Sequence, residues 1–295
     1  MSGGIAAADV KFQDNGLPYT TEYISISGQI TKEDAKAIAA QKNVLEMRKV
    51  VVWLCSEGGD VSAAMAIGRI IREVEGETAV MPTCNSSAPA GPPICYSSCA
   101  LIFISGVRRE NLGILGLHRP FFSSEPQSRE FIENQVPKML LATKEYVSEM
   151  GVTENFYQQM INTDPASMRT YKFKDADTIV SKEDPVFSEI RISREARRYG
   201  VDTGEMRKRE NEAEAKCPYN TVEQMQRHDD CIEAIKWGLD YDAYKFRHNV
   251  ASSDCIYSAD ELKTLFATPF RKAWELPFVS KMERCVRDVM LRNSR

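Results

Sequence analysis

Histidine is scarce in this chain, three in 295 residues, and no Cys-x-x-Cys pair accompanies it, so no metal centre is expected. Positive charge is not in excess either. With 38 Lys and Arg against 42 Asp and Glu the net charge is -4, which offers no broad cationic surface to nucleic acid or to an anionic membrane. No window reaches the roughly 18 apolar residues of a membrane span. Residues 1–19 lack the charged n-region and long apolar run of an intact signal peptide, and are expected to form a flexible N-terminus in which Ala6-Ala7-Ala8 could be what a cleavage region leaves behind.

What is present is the composition of a packed protein, 43% hydrophobic and 27% charged, long enough for one large domain and a smaller one. It also carries eight cysteines. Six of them, Cys84, Cys95, Cys217, Cys231, Cys255 and Cys285, fall in loop-like or polar stretches, which favours disulfides and an oxidising compartment. Pairing by neighbourhood gives Cys84 with Cys95, Cys217 with Cys231 and Cys255 with Cys285. That is one of about a hundred connectivities that eight cysteines allow.

Residues Tyr23 to Ser27 alternate in the manner of a strand ending at Gly28. Thr31 and Asp34 form a capping box for the helix that follows, whose apolar spacing runs Ala35, Ile38, Ala39 and Leu45. Val50 to Leu54 has no polar alternation, as expected of a parallel strand covered on both faces. It leads through Gly58-Gly59 into a helix over Val61 to Val74. Thr78 to Met81 reads as a short strand, Ser97 to Ser105 as a buried helix, and Ile114 to Leu117 as a strand ending at His118. This alternation predicts an α/β domain over 20–190 with a mainly parallel sheet. Glu125 to Gln159 reads as a long helical stretch interrupted by Pro137. The charge-dense segment 191–216 reads as a solvated helical linker, and 217–295, with helical spacing throughout, as a small α-helical domain stapled by two disulfides.

Three segments carry chemistry in order: Ser56-Glu57-Gly58-Gly59-Asp60-Val61 after a buried strand, Cys95-Tyr96-Ser97-Ser98-Cys99-Ala100 opening a buried helix, and Gly116-Leu117-His118-Arg119-Pro120 after another strand. A serine at a helix start sits among unpaired N–H groups that would stabilise an oxyanion. Glycines let the backbone approach a bound peptide. An imidazole is suited to take the hydroxyl proton and return it to a leaving amine. Taken singly, the serines read equally well as helix caps, His118 as a strand-end histidine and the glycines as an ordinary turn.

In this order and spacing the segments resemble the ClpP, signal-peptide-peptidase and crotonase superfamily, and more closely its periplasmic ClpP-like branch with a C-x-S-x-C serine motif. The resemblance covers roughly residues 20 to 182. It implies a ClpP/crotonase-like parallel sheet of ββα repeats, with Ser97 as nucleophile, His118 as general base, and the backbone N–H groups of Gly59 and Ser98 as the oxyanion hole. Where the family carries its acid this chain has Ala166 or Ser167. Asp164 is the nearby candidate to orient His118, and its neighbour Pro165 makes a surface turn the equal alternative. Cys99 is a second candidate nucleophile, since a helix start lowers a thiol's pKa, although burial in an apolar helix opposes this.

The activity so implied is a serine peptidase that cleaves peptide or protein substrates through an acyl-enzyme at Ser97, without a cofactor, in the periplasm or outside the cell. Homo-oligomers are expected by resemblance, with the helix after Glu125 as the contact. The rival reading is an inactive ClpP-like scaffold that binds a protein partner through residues 217–295. Crotonase-type acyl-CoA chemistry has less support, because the required glutamate pair is not evident.

Overall fold

The computed structural model describes residues 9–13, 21–81, 93–122, 128–217 and 225–291. The chain divides into two units, Met1–Pro185 and Val186–Arg295. The first contains, in order, β1 (Asp9–Gln13), β2 (Thr21–Ile30), α1 (Lys32–Ala40), α2 (Lys42–Glu46), β3 (Lys49–Gly59), α3 (Val61–Glu73), β4 (Glu77–Val80), β5 (Ile94–Tyr96), α4 (Ser98–Ser105), β6 (Arg109–Asn111), β7 (Ile114–Leu117), α5 (Arg129–Glu149), α6 (Glu154–Ile161) and β8 (Arg169–Lys172). It is an α/β unit with a mixed, mostly parallel sheet.

The long strand β3 organises that sheet. It pairs with β2 from Lys49 to Gly59 and, over Val51 to Leu54, with β4; beyond that it hands over to β5 through the register pair Ser56↔Cys95. β5 then pairs with β7, and these neighbours are all parallel. The antiparallel pairs lie at the margins, β1 on β2 and β8 on β7. Helix starts follow the side chains expected to set them. Thr31 N–H donates to Asp34 Oδ2 at 2.6 Å while Asp34 N–H returns to Thr31 Oγ1, closing the capping box of α1. Asp60 caps α3 by accepting from Ala63 N–H at 2.8 Å.

The core gathers Ile24, Ile26, Val52, Leu54, Ile67, Leu101 and Phe103, each at most 1% exposed. Every residue of α4 is buried. Tyr146 on α5 reaches this helix and donates its hydroxyl to the Leu101 carbonyl at 2.9 Å. Gly68 on α3 makes room for that phenol, since a Cβ there would lie 1.8 Å from the Tyr146 oxygen.

Several expectations need correction. Residues 9–13, within the segment read as flexible, pair with β2. β2 does not end at Gly28; it runs on to Ile30 through a register shift between Ser27 and Gln29. β3 is not covered equally on both faces, because Val50, Val52 and Leu54 are buried while Val51 and Trp53 are only partly so. Pro137 does not interrupt α5. It lies on the exposed side, as does Glu133, whose carbonyl loses its helical partner. The break comes instead at Gly151, which adopts φ +65°.

The second unit is helical: α7 (Pro185–Tyr199), α8 (Thr203–Lys216), α9 (Met225–Trp237), α10 (Tyr241–Asp254), α11 (Ala259–Phe266), α12 (Phe270–Ala273) and α13 (Pro277–Met290). The charged stretch 191–216 is not a detached linker. It supplies Ile192, Ala196, Tyr199 and Met206 to a core shared with Trp237, Tyr244, Val289 and Met290. A charge-rich sequence hid a narrow apolar stripe on α7, where Ile192, Ala196 and Tyr199 share one face at helical spacing, while Met206 is contributed by α8. The structure joins Cys217 to Cys231 and Cys255 to Cys285, the pairs that neighbourhood gave. No helix among the described residues is long and apolar enough to cross a membrane.

Candidate active site

The ends of three neighbouring parallel strands meet at one edge of the sheet. The pairs Ser56↔Cys95 and Tyr96↔Gly116 align β3, β5 and β7, so the residues that leave them, Gly58-Gly59, Ser97 and His118, emerge on adjacent strand ends. The carboxyl edge of such a sheet is the usual ligand side of an α/β fold.

Ser97 is the sharp joint between β5 and α4, with φ 57° and ψ -125°. Non-glycine residues rarely hold that backbone, and where they do the neighbours must impose it. Two backbone hydrogen bonds help to do so: Ser97 N–H donates to the Gly116 carbonyl at 2.9 Å, and the Ser97 carbonyl accepts from Ala100 N–H at 3.0 Å. The Ser97 side chain does not cap α4. Ser98 is 2% exposed, and its Oγ has no hydrogen-bond partner among the described residues. Of the two adjacent serines, Ser97 is the half-buried one that retains access to solvent.

Gly58 presses on this joint from β3. It holds φ +103°, and a Cβ there would lie 2.7 Å from Ser97 Cβ and 3.2 Å from Ser98 N. Its own N–H is engaged with Ser56 Oγ at 3.0 Å, and that hydroxyl in turn donates to the Gly28 carbonyl. Ser98, as the first residue of α4, has no carbonyl behind it in the helix to receive its N–H. Gly59 packs against Ile30, where a Cβ would lie 2.2 Å from the carbonyl oxygen. The turn therefore brings glycine backbone against the serine joint where a side chain could not go.

His118 is 7% exposed, and its Nδ1 lies 2.9 Å from the Arg119 carbonyl oxygen. A carbonyl only accepts, so this contact calls for a proton on Nδ1, and in the neutral ring that makes Nε2 the acceptor. Arg119 N–H donates to the Thr163 carbonyl at 2.9 Å, which fixes the segment that follows β7. The Asp164 carboxylate, expected to orient His118, is used locally. Its Oδ1 accepts from Ala166 N–H at 2.8 Å and its carbonyl from Ser167 N–H at 2.9 Å, in an exposed turn. Among the described residues no hydrogen bond joins Asp164 to His118. Pro165 and its neighbours take the turn geometry that sequence offered as the alternative.

The cysteines of the motif differ from expectation. Cys95 is bonded to Cys99 and not to Cys84, with Cα atoms 5.2 Å apart, and both residues are fully buried. Cys84 lies outside the described residues. The bridge ties the last strand turn to the first helical turn across Ser97, so Cys99 has no thiolate to act as a nucleophile. The spacing was the missed signal: four residues across a strand-to-helix joint bring two Cα atoms within bonding range. Sequence reasoning also passed over Phe121 and Phe122, which follow the histidine segment and are 48% and 38% exposed. The Phe121 ring centroid lies 5.6 Å from that of His118, and a Phe-Phe pair just beyond a candidate base was the available clue.

Three disulfides point to an oxidising, extracytoplasmic environment. No protein-family model matches the chain, and no curated protein matches it significantly.

Proposed function

We propose that the first unit is a ClpP/crotonase-type domain acting as a serine peptidase on peptide or protein substrates, in the periplasm or outside the cell. The observation that carries this reading is the enforced positive-φ backbone of Ser97 at a strand-to-helix joint, the geometry of a nucleophile elbow, on the strand edge that also presents His118. In the first step Ser97 Oγ adds to the scissile carbonyl while its proton passes to His118 Nε2. The Ser98 N–H, with Gly59, receives the oxyanion. Collapse breaks the C–N bond, and His118 returns the proton to the leaving amine. Water then adds to the acyl-enzyme with His118 again as base, releasing the acid and restoring the serine. The Arg119 carbonyl holds the Nδ1 proton in the place an acid would occupy, which predicts a slow enzyme, because a neutral acceptor stabilises imidazolium less than a carboxylate does. Phe121 and Phe122 favour apolar side chains beside the scissile bond. Ile132 and Leu141, exposed on α5, support the homo-oligomer expected through that helix.

Labelling with a fluorophosphonate probe tests the reading. Wild type is expected to take up the label and Ser97→Ala to take up none; equal labelling, or no labelling of wild type, overturns it. The local use of Asp164 favours a second reading, an inactive scaffold whose helical unit binds a protein. A stoichiometric partner that survives Ser97→Ala and is lost on deleting residues 217–295 would select that reading.

A further inference from the structure

The helical unit leaves a group of arginines unneutralised. An open cleft of about 490 Å³ is lined by Arg194 and Arg197 of α7, Arg284 and Arg287 of α13, and Trp274, with Glu283 as its one carboxylate. Other cations of this unit are paired, Arg191 with Glu195, Arg209 with Glu205, Lys236 with Glu195 and Lys245 with Asp230, and what sets the cleft apart is that its arginines converge on one concavity. Arg194, Arg197 and Arg284 have no such carboxylate among the described residues. Gathering like charges in a concavity costs stability unless something of opposite sign occupies it, and a chain with net charge -4 has acidic residues to spare for pairing them.

Two of the four guanidiniums are held in place. Arg194 lies over the Trp274 ring at 5.2 Å from the centroid. Arg287 donates to the Arg197 carbonyl at 3.1 Å, and it lies against Gly200, where a Cβ would come within 3.1 Å of its Cδ. Arg197 and Arg284 are exposed at the cleft. Guanidinium forks match the two oxygens of a carboxylate or phosphate. The volume is that of a small-molecule site.

We infer that this cleft binds a small ligand bearing two or more carboxylate or phosphate groups, a role separate from the chemistry at Ser97. Full-length protein would be titrated with citrate and with pyrophosphate at constant ionic strength, following Trp fluorescence, with sodium chloride as the ionic control and Trp274→Phe to assign the signal. Saturable quenching by one of the two, absent with chloride and in Trp274→Phe, is expected, and whichever anion binds names the chemistry. Isothermal titration calorimetry measures the same affinities without relying on the fluorophore. Arg197→Gln and Arg284→Gln, whose exposed side chains leave the fold intact by circular dichroism, should each weaken binding about tenfold. No saturable response below about 10 mM of either anion, a response equalled by chloride, or unchanged affinity in both Gln variants overturns the proposal.

Discussion

The two units solve the problem of burial differently. In the first, a parallel sheet and α4 enclose long aliphatic side chains such as Ile24, Ile26, Leu54 and Ile67, and the one disulfide among its described residues lies at the candidate site. In the second, the core relies on aromatic residues with polar ends. Tyr199 and Trp237 meet edge to face at 4.6 Å between centroids, and the Tyr199 hydroxyl donates to Glu233 at 2.9 Å. Burial, with Glu233 and Asp230 nearby, pushes the Tyr244 phenol up to about 12. This core also holds fewer buried residues for its length than the first, among those described, so cross-links matter more to it. A disulfide therefore does structural work in one unit and local work in the other.

Removing the cross-links separately would break or sharpen that contrast. Cys255 and Cys285 are 30 residues apart, and in the chain-entropy account replacing both with serine costs about 4 kcal/mol. The Cys95–Cys99 bridge spans a separation of only 4, for which the same account gives about 2 kcal/mol. Hydrogen exchange resolved by peptide should show the first variant losing protection over α10 and α13 while α3 and α4 keep theirs. In the second variant the loss should be confined to the joint at Ser97. Equal losses in both units would mean that the cross-links do not divide the labour.

Glycines make a smaller version of the same test. A Cβ at Gly59 meets the Ile30 backbone at 2.2 Å, whereas one at Gly238, at φ +69°, meets only the flexible end of Arg209 at 3.1 Å or more. Gly59→Ala must displace the end of β2 and should cost about 3 kcal/mol, overpacking and backbone strain together. Gly238→Ala pays the left-handed backbone term alone, about 1 kcal/mol. Urea denaturation of the two variants checks the ranking, and a reversal would mean that the β2–β3 end yields more easily than its packing implies.

The contrast also explains which features could be read from residues alone. Strong local signals survived: the Thr31–Asp34 box, the unbroken apolar run of α4, and the strand-glycine-helix succession around Gly58-Gly59. Features that depend on tertiary contact did not. Met206 and Ile192 are isolated apolar residues in a charged stretch, and only their phase against α9 and α13 makes them core. Asp164 could equally orient a histidine or close its own turn. The choice belongs to the Ala166 and Ser167 N–H groups, whose direction no motif records. Cys95 had two partners at plausible distance, and the sharp turn at Ser97 brings it to Cys99.

An effect as small as that of Gly238→Ala lies where the first unit's fold meets its candidate site. Asp60 follows the glycine turn and caps α3. Burial pushes its carboxyl up, but hydrogen bonds from the Ser62 hydroxyl and the Ala63 N–H, with the nearby Lys32 charge, outweigh this and hold it below the ordinary aspartate value. A carboxyl lowered in the folded state contributes stability that is fully present above its unfolded pKa and is lost as pH falls through the folded one. Asp60→Ala should therefore cost about 1 kcal/mol at neutral pH, the usual worth of such a cap. The gap to wild type should narrow as the pH is lowered below the ordinary aspartate range. Thermal melts of both proteins across that range measure it. A gap that widens on acidification would mean that burial, rather than the cap, governs Asp60, and that the turn carrying Gly58 and Gly59 is held by its packing against Ser97 and Ile30.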